Sequence, residues 1–357
     1  MAQPNEARLR AVRRLIEAAR ELVLYRASLM PQLVASTGLS PEGVELAMTK
    51  HLELSPSEAE LERLFADARD VPAIAVVLSA NVFVGALRAL VLARASSDVV
   101  LVRPSRREPV FAKALVEAAA DPALRLEPSL TLSTVSRGEV HVYGSHRTLE
   151  LVRDQCRSSV LVVGHGSGMG AAWISTRASL DDAARSLAED VVAFDQRGCL
   201  SPRVALVEGD ATRALDFATV LHERLTHSGK RVPRGPLPRD VLAESERYRA
   251  TMAYAGRTLV GPDHVVGLAD MGTPLLEGPA YRHMHVVPVA HEGAAEEWLL
   301  PVRSALISVG SDDLNAAKRI APPWARCALL GRMQRPPLDG PVDRRVWIEP
   351  GRAPAGE

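Results

Sequence analysis

Cys199 is the residue of this chain whose type and setting most directly allow covalent chemistry. It stands in VVAFDQRGCLSP (residues 191–202), between a helix-like run and a turn. A catalytic cysteine needs access, a means of staying thiolate and a nearby oxyanion site. Gly198 permits close approach to backbone, and Leu200-Ser201-Pro202 sets the thiol at an element boundary. Arg197 could favour a thiolate or could simply point to solvent. Local chemistry therefore leaves two readings open, a nucleophile or a buried inert thiol. GHGSGMGA (164–171) formally satisfies GxGxxG/A through Gly166, Gly168 and Ala171, with Glu189 further on. It follows the last strand of its sheet rather than the first, and AAWIST is not a clean helix start. A flexible turn between domains fits it better than a dinucleotide fingerprint. The histidines of RHMHVVPV (282–289) lack a carboxylate or cysteine at metal spacing, so no metal is assigned.

These residues need elements to hold them. Residues 1–70 read as helices: apolar residues recur at helical spacing from Arg8 to Tyr25. Ser55-Pro-Ser-Glu58 predicts a capping box with proline at the first helical position, opening a helix to about Ala68. VPAIAVVLSA (71–80) is a continuous apolar run, the pattern of a buried parallel strand. NVFVGALRALVLARA follows as a helix. DVVLVRPS, REPVFAKALVEAAA, EVHVYGS, HRTLELVRDQC and SSVLVVG continue the strand–helix alternation. A parallel sheet covered on both faces follows, with ligands expected at the strands' carboxyl ends. A second block repeats the pattern: a helix in SLDDAARSLAEDVVAF capped near Ser179, a strand in RVALVEG, a helix in ATRALDFATVLHERLTH, and strands in ALISVG and ARCALLG. RVPRGPLPRD between them reads as a loop.

Composition excludes several function classes. The 357 residues carry a formal net charge of zero, so no broad attraction to nucleic acid or anionic lipid is expected. Aromatics are 4%, too few for a base-stacking platform. Three dispersed cysteines (Cys156, Cys199, Cys327) form no CxxC pair, and the polar N-terminus lacks an apolar signal core. No apolar stretch is long enough to span a membrane. A cytoplasmic location is expected.

The segment VVAFDQRGCLSPRVALVEG resembles the active-site stretch of the aldehyde dehydrogenase superfamily, and FDQRGCLSP is similar to the fatty acid reductases of the bacterial luminescence pathway, which are acyl-CoA reductases. Other pieces fall in the same order. SANVFVGALRALVLA resembles the segment whose asparagine helps form the oxyanion hole. VVLVRPS resembles the Val-Val-Leu-Lys-Pro-Ser strand end that holds the adenosine ribose. VYGS (142–145) resembles the Phe-Thr-Gly-Ser turn near the pyrophosphate and nicotinamide. LGRMQRPPLDGP and LVASTGLSPEGVEL resemble the reductases' C-terminal region and leader.

The resemblance implies an α/β fold: a parallel Rossmann-type cofactor domain (71–165), a second α/β catalytic domain (166–332), a helical leader (1–70), and a tail (333–357) that packs on the cofactor domain or a partner subunit. It implies Cys199 as nucleophile and Asn81 as oxyanion donor, though Asn81's place between strand and helix also suits a helix N-cap. It implies Arg103, Pro104, Ser105, Arg106, Gly144 and Ser145 as cofactor contacts. Arg103 stands where lysine is usual, and two guanidiniums suit bidentate recognition of a 2′-phosphate, which favours NADPH over NADH. Hydrolytic relatives use a glutamate to activate water; the corresponding position falls at Gly164 or His165. Without a carboxylate there, hydrolysis of an acyl-enzyme should be slow. His165 could act as a base or be structural. DPALRLEPSLTLSTVSRG stands for a longer strand–helix passage in the family.

The expectation is NADPH-dependent reduction of a fatty acyl-CoA, or acyl-carrier-protein thioester, to an aldehyde. The alternatives are aldehyde oxidation and a catalytically inactive homologue serving as a binding or scaffold subunit. A homo-oligomer is expected by analogy alone.

Overall fold

The computed structural model describes residues 2–274, 276–338 and 346–348. Its chain divides into two compact units: residues 1–37, 47–167 and 335–357 form the first, and residues 38–46 and 168–334 the second.

The first unit begins with α1 (Ala2–Leu24) and α2 (Arg26–Thr37). Gly38, at φ +69°, supplies the left-handed residue that ends α2. Ser40, in the stretch 38–46 that belongs to the second unit, caps α3 (Pro41–Lys50) by accepting from the Gly43 amide at 3.0 Å, and the last turn of that helix returns to the first unit. α4 (Glu58–Asp67) is capped by Ser57, which accepts from the Glu60 amide. The cap therefore lies two residues after Ser55, and Pro56 stays outside the helix. There follow β1 (Ile74–Val77), α5 (Gly85–Ser96), β2 (Val100–Arg103), α6 (Val110–Ala119), β3 (Leu124–Leu126), β4 (Gly138–Tyr143), α7 (His146–Gln155) and β5 (Val160–His165). With β13 (Val346–Ile348) they make a six-stranded sheet, order β13-β5-β4-β1-β2-β3, parallel except for β13. All four β1 residues are buried, as a strand covered on both faces requires. The passage 121–138 holds β3 and one short 3-10 turn. Apart from residues 346–348, the tail beyond 338 lies outside the described residues.

The second unit contains β6 (Met169–Ile174), α8 (Leu180–Val192), β7 (Pro202–Glu208), α9 (Ala211–Arg231), α10 (Arg239–Ala255), β8 (Gly256–Val260), β9 (Val265–Ala269), β10 (His283–Val289), α11 (Glu292–Leu299), β11 (Leu306–Ser311), α12 (Leu314–Ile320) and β12 (Arg326–Leu329). Its seven strands run β12-β11-β6-β7-β10-β9-β8, parallel except for the β8–β9 pair. One face packs on α8 and α9 through residues such as Ile174, Leu187, Val207 and Phe217. The other packs through Trp173, Leu206, Val287 and Ile320 toward α11 and α12. AAWIST is thus a core strand. That removes the dinucleotide-fingerprint reading, because no helix opens after Gly168.

Candidate active site

In the second unit the backbone narrows onto Cys199. α8 stops at Val192, and Phe194, Asp195 and Gln196 follow at φ +54°, +52° and +59°. Three consecutive left-handed residues other than glycine cost about 1–2 kcal/mol each. Such strain persists only where surrounding bonds enforce it. Asp195 forms an ion pair with Arg282 at 2.6 Å, both side chains 2% exposed. Its second oxygen accepts from the Gly235 amide at 3.0 Å. Gln196 is fully buried: its Nε2 donates to the carbonyls of Pro202 and His283, both at 2.7 Å, and its Oε1 accepts from the His283 amide at 2.8 Å. Tyr281 and Arg282, on the facing strand's approach, are left-handed as well, and the Tyr281 amide donates to the Asp195 carbonyl.

The turn itself spans Gly198–Ser201, closed by the Ser201 amide donating to the Gly198 carbonyl at 3.1 Å. Cys199 is half-buried on it. Arg197 lies over the Tyr281 ring at 5.6 Å and donates from Nε to the Phe194 carbonyl. Ser201 donates from Oγ to Gln334 Oε1 at 3.2 Å. The segment around Gln334 is tied down by Asp190, in the last turn of α8, whose carboxylate accepts from the Gly331 and Met333 amides at 2.6 and 2.9 Å. Burial pushes the Asp190 carboxyl up to about 7 in spite of those bonds. Of the other thiols, burial raises Cys156 to about 11 and also raises Cys327.

In the first unit the other predicted residues gather at the carboxyl ends of adjacent strands. Arg103 ends β2, and its carbonyl accepts from the Leu78 amide just past β1. Pro104 is buried, Ser105 half-buried and Arg106 exposed. Asn81 lies in the turn before α5, whose N-cap position is Val84, so the N-cap alternative for Asn81 falls away. Instead its Oδ1 accepts from Arg107 Nη2 at 2.6 Å. A guanidinium only donates, so this bond turns the amide oxygen to Arg107 and leaves Nδ2–H as the donor for another group. Ser145 caps α7, accepting from the Thr148 amide at 3.3 Å. A Cβ at Gly144 would press on the Thr148 side chain at 3.0 Å, so the position is confined to glycine or requires Thr148 to shift. A row of strand ends, three helix starts and exposed arginines is a setting that fits a phosphate-bearing dinucleotide.

His165 is 4% exposed, stacked on Tyr143 at 4.1 Å, with Nε2 3.3 Å from His141 Nδ1. His141 meets Glu139 at 2.8 Å, and Glu139 pairs with Arg69. His165 is built into this buried chain, which favours its structural reading. The RHMHVVPV histidines are structural too. His283 Nε2 lies 2.6 Å from Ser245 Oγ, and His285 Nδ1 lies 2.9 Å from the Tyr248 hydroxyl. Among the described residues no cluster of three or more metal-ligating side chains occurs, and no helix is long and apolar enough to cross a membrane.

Sequence reasoning missed the Arg107–Asn81 bond in the first unit and, in the second, the Asp195, Gln196 and Arg282 side chains that hold the Cys199 turn. Arg107 was visible as a third cation in RPSRRE, and Asp195-Gln196 lay inside the cysteine motif. Nothing in the spacing pointed to Arg282.

The family model for acyl-CoA reductase (LuxC) matches residues 65–336. A search among curated protein sequences finds no significant match. Among solved structures, an oxidoreductase from Marinobacter aquaeolei superposes with a TM-score of 0.69 at 13% identity, covering 92% of this chain and 79% of that one. A NAD-dependent benzaldehyde dehydrogenase from Corynebacterium glutamicum gives 0.66 at 15% identity, covering 91% and 82%. A propionaldehyde dehydrogenase from the Clostridium phytofermentans fucose utilisation microcompartment gives 0.60 at 13%, covering 91% and 84%. At these identities the likeness establishes the fold, which is aldehyde-dehydrogenase-like.

Proposed function

Since the chain belongs to the acyl-CoA reductase (LuxC) family, whose chemistry lies between the acyl and aldehyde oxidation levels, we propose that it reduces a fatty acyl thioester to the aldehyde through an acyl-enzyme on Cys199, with NADPH as reductant. The observation that carries the reading is the setting of Cys199: half-buried on a turn that Asp195, Gln196 and Ser201 hold through buried polar bonds. Burial raises the thiol pKa of the other two cysteines, to about 11 for Cys156.

The Cys199 thiolate attacks the thioester carbonyl carbon. The Cys199 backbone N–H is a donor for the tetrahedral oxyanion, and the family resemblance assigns the Asn81 side-chain amide to the same role. The C–S bond to coenzyme A breaks, the thiolate leaves with its electron pair, and Cys199 keeps the acyl group. When bound, the dinucleotide supplies the hydride for the acyl carbon. The resulting thiohemiacetal on Cys199 collapses, expelling aldehyde and regenerating the thiolate. Arg103, Pro104, Ser105 and Arg106 would hold the adenosine end, with the guanidiniums directed at a 2′-phosphate, and Gly144 and Ser145 at the α7 N-terminus would hold the pyrophosphate. At Gly164 and His165 no carboxylate stands to activate water, and His165 is engaged with His141 and Tyr143. This supports exchange with a thiol over hydrolysis.

The test is intact-mass spectrometry after mixing the enzyme with acyl-CoA of graded chain length. An acyl adduct on the wild type and none on Cys199→Ala is expected. No adduct from any acyl-CoA or carrier-bound thioester would point instead to a binding or scaffold role.

A further inference from the structure

We infer that Gln196 is a positioning residue for Cys199: its buried amide joins the two ends of the turn that carries the thiol, while the Asp195–Arg282 pair holds the left-handed approach to it. The inference rests on the reading of Cys199 as the nucleophile.

The geometry is specific to a primary amide of this length. Gln196 precedes the cysteine by three residues and Pro202 follows it by three. The Nε2–Pro202 carbonyl bond, at 2.7 Å, therefore closes residues 197–201 into a ring. The second Nε2 hydrogen goes to the His283 carbonyl and the Oε1 to the His283 amide, so the same group ties that ring to the start of β10. Both donors and the acceptor are used, at a position with no solvent exposure. Asparagine is one methylene short. Methionine would fill the volume without a hydrogen bond. Glutamate would set a carboxylate against two carbonyl oxygens, and only its protonated form recovers a donor.

The second layer is the pair beside it. Arg282 grips Asp195 Oδ1 from both Nε and Nη2, at 3.1 and 2.6 Å, and donates from Nη1 to the Val232 carbonyl. One guanidinium thus links the cysteine approach, the 232–235 loop and the base of β10. The charged and titratable groups against Gln196 are Asp195, Arg282 and His283. His283 is held by Ser245 and the Ala280 carbonyl, and burial keeps it neutral down to about pH 4. His283 therefore stays neutral between pH 6 and 8 and does not mimic titration of a glutamate at 196.

The test measures acylation of Cys199 by acyl-CoA in quenched single turnovers, on full-length protein whose folding is checked by circular dichroism. Gln196→Met and Gln196→Glu should acylate about 100-fold more slowly, the loss expected of a reacting group displaced by about 1 Å. The acyl-CoA concentration for half-maximal rate should stay within threefold. Lowering the pH from 8 to 6 should raise the Gln196→Glu rate relative to wild type and leave the Gln196→Met ratio flat. Arg282→Lys, which keeps the charge and the Gln196 amide, should lose about 10-fold, and it carries the test if the Gln196 variants do not fold. Folded Gln196 variants acylating within threefold of wild type overturn the proposal. So does an Arg282→Lys enzyme at the wild-type rate, or a Gln196→Glu loss without pH relief beside an unimpaired Gln196→Met. A wild type that takes no acyl group refutes the nucleophile reading itself.

Discussion

Gly170→Ala would move the cysteine turn without touching a reactive group. Gly170 lies on β6 opposite the start of β7, where the pairing shifts register, and its amide donates to the Ser201 carbonyl at 2.9 Å. A Cβ here would lie 2.5 Å from the Leu200 carbonyl oxygen, 2.9 Å from Met333 Cε and 3.1 Å from the Pro202 nitrogen. Two of these three are backbone atoms of the segment that follows Cys199, so no rotamer change relieves the overlap. To restore ordinary contact the Leu200 oxygen must retreat from 2.5 to 3.4 Å, about 0.9 Å. Overpacking of this kind costs about 1–3 kcal/mol. A displacement near 1 Å beside the nucleophile should slow acylation by about 100-fold. The assay pairs urea unfolding with single-turnover acylation. Gly267→Ala, on β9, is the control, since its Cβ would meet the Tyr248 hydroxyl and the Met252 side chain of α10 rather than the cysteine turn. Gly170→Ala should lose rate well beyond Gly267→Ala at comparable stability. Equal rates in both, or a Gly170→Ala enzyme within twofold of wild type, would refute the claim that backbone position limits Cys199.

Three further outcomes are expected. His285 is buried and burial lowers its pKa from 6.5 to about 4; the unfolded chain therefore takes up a proton that the folded one refuses, and stability is lost as pH falls from 6.5 toward 4. At about 1.36 kcal/mol per unit this is about 3 kcal/mol, and His285→Leu should lose that much less between pH 7 and 4 in denaturant titrations. Iodoacetamide at pH 7.5, read by peptide mass mapping, should label Cys199 ahead of Cys156, whose thiol burial raises to about 11. Arg106→Ala should raise the KM for NADPH about 10-fold and leave that for NADH within twofold in steady-state reduction.

The elements that frame the site were legible in the sequence where burial on both faces leaves an unbroken apolar run, as in β1 and β5, or where a cap residue acts locally, as Ser179 does for α8. β6 was obscured because its glycine is needed for backbone contact with Leu200 rather than for a turn. α10 was unforeseen: it begins just past the proline-rich loop and buries only Ser245, Tyr248 and Met252, too few for a clear helical stripe. Cys199 itself was legible from its motif. Its supports were not, because Arg282 and His283 reach Asp195 and Gln196 across 87 residues of chain, and side-chain bonds of that span leave no periodic trace.

The central claim is that the acyl group on Cys199 leaves as aldehyde. Isotopically labelled acyl-enzyme, isolated and mixed with NADPH in the absence of free acyl-CoA, tests this directly. The account predicts labelled aldehyde in stoichiometric yield with one NADPH consumed, and only slow acid formation when NADPH is withheld. Release of labelled free acid as the main product, at a rate independent of NADPH, would contradict it.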